Sequence, residues 1–396
     1  MEIDHSLFIC STVELIIPFS EFQMCLTLTK YEVVVTFAPM NPNKGNRAIA
    51  IWLLIGVFMI MIQVLLGGIT RLTGSGLSIT EWKPLLGAVP PMNEQDWQNA
   101  FDKYKEIGQY KKINADFALS DFKFIYFWEW LHRFWARLIG LVFIAGFIYL
   151  LWKKYLKKDL IRPMIILFLL GGLQGAIGWI MVQSGLNEED VSVSHIRLAI
   201  HFIAALGLLV YTLWFALRLM IPESQRIVSP SLKKFLVWII VVFTLQLIYG
   251  AFMAGLKAAY NAPTWPDING EWWPTPMGRL GGLKDLTDNP ITVQFIHRGL
   301  AYLLVILILL WFIKAWKSLP TASRGKGPIL ITKTAAWPLV LVFIQAILGI
   351  FTVLNSPDPN SLLWWGVAHQ FVAMLLLISL MWVFYLIKGK SFAQPS

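Results

Sequence analysis

Long apolar runs dominate the chain, and its polar residues fall between these runs rather than within them. Eight runs stand out, at about 48–67, 124–152, 161–183, 196–219, 235–256, 292–313, 337–354 and 363–387. Each lies near the roughly 20 residues that an α-helix needs to cross a hydrocarbon layer about 30 Å thick. They lack the strict alternation of strands, so they predict helices. The expected fold is an all-α membrane protein with eight transmembrane helices.

Basic residues orient the spans. Lys44 and Arg47 precede the first, Lys153, Lys154, Lys157 and Lys158 join the second to the third, and Lys233 and Lys234 precede the fifth. Lys314, Lys317, Arg324, Lys326 and Lys333 join the sixth to the seventh, and Lys388 and Lys390 follow the eighth. Every cluster falls on one side, so both termini are expected in the cytoplasm. The outer side carries two long loops, 68–123 and 257–291. Asp96 to Lys112 predicts an amphipathic surface helix in the first. In the second, Trp265, Trp272 and Trp273 read as interfacial anchors.

Composition narrows the class further. Charged residues make up 14% of the chain and hydrophobic ones 57%, against roughly 25% charged in soluble domains, which excludes an ordinary soluble enzyme. The net charge of +10 sits mostly in the segments between spans, so it implies membrane orientation and no nucleic-acid partner. Cys10 and Cys25 both precede the first span. A metal within the membrane part must therefore use histidine. Residues 1–39 hold Glu2, Asp4, Glu14 and Glu21 among apolar residues and match neither a secretory signal nor a basic transit peptide. Translation is expected to start at Met40, and the location expected is a bacterial plasma (inner) membrane.

The chain also repeats itself. His132-Arg133 in the second span matches His297-Arg298 in the sixth, an offset of 165 from 132 to 297. Gln174 and Gly178 match Gln345 and Gly349, an offset of 171 from 174 to 345, and His201 matches His369, an offset of 168 from 201 to 369. Two halves are expected, 48–219 and 235–387, with a leader or cytoplasmic segment 1–47, a cytoplasmic linker 220–234 and a tail 388–396. Four spans per half make the repeat parallel, giving two four-helix bundles about a pseudo-twofold axis along the membrane normal.

Four of the six histidines, His132, His201, His297 and His369, fall inside spans at similar distances from the outer end, about 9 to 13 Å deep at 1.5 Å per residue. Within each bundle the pair comes from the second and fourth helices, which can face each other across the core. Opposed imidazoles without cysteines or carboxylate clusters are what axial ligation of a haem iron requires. A hydrogen bond to a neighbouring helix would explain any one histidine, but it does not explain the repetition, and costly polar residues in lipid are usually functional. His195 is expected at the interface, and His5 lies in the leader.

One asymmetry separates the halves. The second span reads Glu129-Trp130-Leu131-His132, whereas the sixth reads Gln294-Phe295-Ile296-His297. The spacing puts Glu129 and His132 on one helix face. A di-iron site needs that motif twice plus further glutamates, so Glu129 reads instead as a catalytic acid or base of one half. An ion pair with Arg133 is the competing role. Arg133, Arg298 and Arg197 have two readings, binding haem propionates or snorkelling to the interface, and the sequence leaves both open.

The stretch Gly67 to Pro84 (GGITRLTGSGLSITEWKP) resembles the signature of the haem A synthase family after its first span. Further likenesses are IYFWEWLHR at 125–133, GLQGAIGWIMVQSGL at 172–186, RLAIH at 197–201, TVQFIHR at 292–298 and AHQ at 368–370. The resemblance covers about 48–387. It implies oxidation of the carbon-8 methyl of haem O to a formyl group by two successive hydroxylations. It implies haem b as cofactor between His297 and His369, substrate haem O near His132 and His201, and a catalytic Glu129; Arg298 and Arg133 stand beside them as candidate cofactor-binding residues. The first outer loop has no cysteine pair, so the chain looks like the cysteine-free branch, and YNAPTWP at 260–266 departs from the related YNTFP. Contact with the haem O synthase (protohaem farnesyltransferase), an electron acceptor and a homo-oligomer are the partners to consider beside lipid. A bis-histidine b-type cytochrome that moves electrons only would use the same four histidines, and a haem transporter with a duplicated fold is the other alternative. A symmetrical electron wire has no need of a one-sided Glu129, and the spans lack the interruptions expected of broken transporter helices.

Overall fold

The computed structural model describes residues 13–18, 22–28, 33–39, 44–82, 86–318 and 329–389. The expected start at Met40, His5 and Cys10 lie outside them. Near the amino terminus, β1 (Val13–Pro18), β2 (Phe22–Leu28) and β3 (Val33–Pro39) pair antiparallel in that order. The rest of the described fold is almost wholly helical, and eight of its helices are long and apolar enough to cross a membrane.

The first is α1 (Lys44–Leu72), followed in the next loop by α2 (Glu94–Lys105) and α3 (Gly108–Lys112). Then come α4 (Leu119–Trp152), α5 (Lys158–Gln183), α6 (His195–Met220) and α7 (Pro230–Gly255). A short α8 (Gly282–Asp288) leads into α9 (Pro290–Ser318), and α10 (Ile329–Thr334), α11 (Trp337–Leu354) and α12 (Pro359–Leu386) complete the chain. The sequence runs locate all eight spans. Most of the helices extend a few residues beyond the apolar run, because a helix continues through the interface where its flanking charges meet water. Proline starts α7, α9 and α12, where its missing N–H is an orphan in any helix. Asp358 caps α12 by accepting from the Ser361 N–H at 3.0 Å.

Helix α1 packs on α4 and α6, and α5 packs on α6; in the other half α9 packs on α7 and α11, and α11 on α12. Between these groups α6 meets α7 and α1 meets α12. The largest buried cluster draws on α1, α6, α7, α9 and α12, through residues such as Val64, Leu209, Leu236, Ile308 and Leu377. Helices from the start to the end of the chain thus share one core, held by close packing rather than by the hydrophobic effect that lipid removes. Buried Trp311 donates its indole N–H to the Leu232 carbonyl at 3.2 Å, so even its polar atom is satisfied.

The segment 220–234 does not hang free. Ile227–Val228 pairs in parallel with Ile387–Lys388, Arg226 donates to the Tyr385 carbonyl at 3.0 Å, and Lys233 donates to the Ile387 carbonyl at 2.8 Å. Glu223 pairs with Lys388 and Arg226. In the loop after α1, the amphipathic helix forms in two pieces, α2 and α3. Its apolar residues Phe101 and Tyr104 are buried against Phe122 of α4, ring centroids 5.0 and 5.3 Å away, so protein rather than lipid takes that face.

Candidate functional site

One cavity of about 990 Å³ opens between the helices and is lined by His132, His201, His297, His369 and Glu129. That is the upper end of the range for small-molecule sites. His297 (α9) and His369 (α12) face each other with ring centroids 6.5 Å apart and planes 70° apart. Two imidazole nitrogens sharing one metal at roughly 2 Å each stand about 4 Å apart, with the ring bodies farther out. The observed spacing fits that demand. His132 (α4) and His201 (α6) line the amino-terminal part of the same cavity.

Each ring is backed by a glycine on a neighbouring helix. A Cβ placed on Gly67 would stand 3.2 Å from His132, on Gly178 2.8 Å from His201, on Gly250 3.3 Å from His297 and on Gly349 3.0 Å from His369. Any larger residue would push the ring from its place. A glutamine stands one turn before each glycine: Gln63, Gln174, Gln246 and Gln345. Gln174 Nε2 lies 3.2 Å from His201 Nδ1, Gln246 Nε2 lies 3.4 Å from His297 Nε2, and Gln345 Nε2 lies 3.1 Å from both ring nitrogens of His369. The sequence reading used Gln174, Gly178, Gln345 and Gly349 only as landmarks of the repeat, and missed Gln63, Gly67, Gln246 and Gly250. The signal was there: one spacing, Gln-x-x-x-Gly, occurs on four helices.

Glu129 is 2% exposed, and both its oxygens are hydrogen-bonded. Its Oε2 accepts from the Ser78 hydroxyl at 2.7 Å and the Ile79 N–H at 2.8 Å, and its Oε1 accepts from Arg133 Nη2 at 2.6 Å. The ion pair with Arg133 therefore forms, inside a larger network. Arg133 also donates to the carbonyls of Ile79 at 2.9 Å and Glu81 at 3.3 Å, so it fastens the loop after α1 over the site. The equivalent positions on α9 differ in chemistry. Gln294, with 0% exposure, donates to the Ala262 carbonyl at 2.9 Å, and Arg298 donates to the carbonyls of Asp267 at 2.7 Å and Thr264 at 2.6 Å. Arg197 donates to the Ile180 carbonyl at 2.9 Å. His195 sits apart from the cavity histidines, 3.3 Å from Asp288 and stacked edge-on against Phe252.

Among the described residues, no three His, Cys, Asp or Glu gather into a group that could hold a bare metal ion. Paired imidazoles flanking an apolar cavity suit a ligand that brings its own equatorial donors, as an iron porphyrin does. Unpaired buried polar atoms point the same way: His297 Nδ1 and the Oε1 atoms of all four glutamines are buried without a hydrogen-bond partner, a condition that costs about 1–3 kcal/mol each unless a ligand changes it.

Comparison with known proteins agrees with this chemistry. Residues 50–381 match the COX15-CtaA family, described as cytochrome oxidase assembly protein. The chain belongs to that family. It is 42% identical over 339 residues to a protein named "Heme A synthase" from Flavobacterium psychrophilum, covering 84% of this chain and 96% of the relative. It is 41% identical over 348 residues to one of the same name from Rhizorhabdus wittichii, covering 87% and 95%. The one from Bradyrhizobium diazoefficiens is 41% identical over 345 residues, covering 85% and 90%. Membership makes this a multi-pass, haem-handling membrane protein.

Proposed function

We propose that the protein is a haem A synthase, an oxidoreductase that converts the carbon-8 methyl of haem O to a formyl group by two successive hydroxylations. Two parallel four-helix bundles, 48–219 and 235–387, form the enzyme, with both termini cytoplasmic and the sites toward the outer face of a bacterial inner membrane. The seam supports the repeat, because α1 on α12 and α7 on α6 are equivalent contacts under a twofold axis.

In this reading haem b sits between His297 and His369, and haem O lies near His132 and His201. Two features favour that division. Glu129 lies in the amino-terminal half, whereas Gln294 holds its place in the other. The amino-terminal half also has more room. Gly140, Gly171, Gly172 and Gly175 line the cavity, and a Cβ on any of them would meet nothing within 4 Å. By the offsets of the repeat, Val305, Val342 and Ala346 stand where Gly140, Gly171 and Gly175 do, and they line the cavity on the other side. A porphyrin carrying a long isoprenoid tail needs the roomier half.

When bound, the iron porphyrins supply the electron-accepting chemistry that no side chain here offers. The protein's part is to hold, orient and move protons. His132 and His201 position the substrate iron, and His297 and His369 hold the cofactor iron. Glu129, fixed by Ser78, Ile79 and Arg133, uses three of its roughly four acceptor sites. The remaining site can take a proton from the substrate methyl or the attacking water. Arg133 and Arg298 keep guanidinium N–H groups beyond those on loop carbonyls, available to haem propionates.

The buried, one-sided Glu129 carries the enzymatic reading over an electron wire. Haem extraction and chromatography test it: cells that make haem O gain haem A when this protein is expressed. Haem O left unchanged, with the protein present and haem-loaded, would refute it.

A further inference from the structure

Resting on that reading, we propose that the glutamines one turn before the four glycines are positioning residues, which fix the orientation and the donor strength of the histidine ligands through their amides. Four helices carry the same Gln-x-x-x-Gly spacing, at 63/67, 174/178, 246/250 and 345/349. On a helix this stacks the amide directly below the glycine that backs a ring. The structure brings three of the amides to 3.1–3.4 Å from a ring nitrogen of His201, His297 or His369. Gln174 is held in place by a second bond, to the His201 carbonyl at 2.9 Å.

A ligating histidine presents its second ring nitrogen to an outer partner. That partner sets tautomer and basicity, and its loss typically costs about 10–100-fold in metal affinity. Among the described residues, no carboxylate or backbone carbonyl hydrogen-bonds the rings of His201, His297 or His369; only the amides do. An amide can present either its oxygen or its NH₂ to a ring, since the two ends exchange by a half-turn. For Gln246 and Gln345, whose amides contact only the ring, the unpaired Oε1 is the acceptor such a turn would use, whereas the bond to the His201 carbonyl keeps the Gln174 NH₂ toward its ring. Gln63 keeps the spacing and an unpaired Oε1, yet no hydrogen bond joins it to His132. His132 is thus the one ring of the four that no amide holds, in the half that must release product.

The test uses the purified full-length protein with its bound haem. Gln345→Leu and Gln345→Glu are compared by redox titration and low-temperature electron paramagnetic resonance, with Gln246→Leu and Gln246→Glu as a second pair should the first not accumulate. Leu removes the acceptor and Glu strengthens it. The midpoint potential is expected to rise for Leu and fall for Glu, with the low-spin signal moved in both and haem retention lowered about 10–100-fold in the Leu variant. A structural role alone would move both variants the same way or leave the potential unchanged, and either result overturns the proposal. His297→Ala and His369→Ala serve as the separate control. If they keep the haem, the ligand assignment itself fails; if they lose it while the glutamine variants match wild type, only the role of the amides fails.

Discussion

The imidazoles of His297 and His369 oppose each other across 6.5 Å with their planes turned 70° apart. Neither ring could lean back, because Gly250 and Gly349 leave room for a hydrogen and nothing larger behind them. His297→Ala or His369→Ala should each remove most of the bis-histidine Soret absorbance per protein while the protein still accumulates in the membrane. Full haem content in both variants would count against these ligands.

Replacing Glu129 should separate chemistry from binding. Glu129→Gln keeps the side chain's shape and should lower haem A formation by roughly 10²–10⁴-fold, the usual contribution of general acid–base catalysis, with haem O or its hydroxylated intermediate accumulating and haem b retained. The amide's NH₂ must also meet a donor, either Arg133 at the Oε1 position or the Ile79 N–H at the Oε2 position, so a stability loss of about 1–3 kcal/mol is expected, read as a lowered melting temperature. An unchanged haem A yield would end the catalytic role.

The reciprocal change should not transfer activity. Gln294 donates to the Ala262 carbonyl with no exposure to solvent. Gln294→Glu would set carboxylate against carbonyl and should destabilise the protein by about 1–3 kcal/mol as a donor is lost from a buried pair, with no second site of haem A formation. Calorimetry and haem extraction read the two effects separately.

Filling the space along α5 should discriminate by the tail. Gly171→Leu or Gly175→Leu is expected to raise the KM for haem O several-fold or more, with little change in bound haem b. Comparing both variants with Gly299→Ala, another glycine with open space around it, checks that the effect belongs to the α5 face. Equal KM values for all three would rule out the tail's path along these glycines.

The loop between α7 and α9 should respond to acid. Hydrogen bonds from Thr292 and Asn289, with the N–H groups of Gly278 and Leu280, hold the Asp285 carboxyl down to about 2. A depressed carboxyl stabilises the fold fully above its unfolded value of about 3.9, and that contribution is lost as pH falls through about 2. Hydrogen exchange of residues 276–292 should therefore quicken between pH 4 and 2 in wild type and lose that dependence in Asp285→Asn. Exchange that stays flat in wild type would show that Asp285 is not the latch.

Much was legible because lipid simplifies the problem. A span must be a long apolar helix, so the runs located all eight, and the histidines stood out within them as residues with no business in hydrocarbon. Glu129 and Gln294 were readable as a difference between matched segments. Gln63 and Gln246 were legible only through the Gln-x-x-x-Gly spacing they share with Gln174 and Gln345, since a single glutamine in an apolar helix signals little by itself. The partners of Arg133 and Arg298 were equally hidden, because loop carbonyls leave no trace in side-chain chemistry.

Local composition, acting through the cost of bare backbone and charge in a bilayer, settled the number and kind of helices and which residues were chemically out of place. Tertiary structure alone decided which ring meets which glycine, that Ser78 and Ile79 join Arg133 on Glu129, and that 220–234 is stitched to the end of α12. Those contacts join residues up to 165 positions apart, as Glu223 and Lys388 are, and helix packing selects such pairs by shape and distance, which no local pattern encodes.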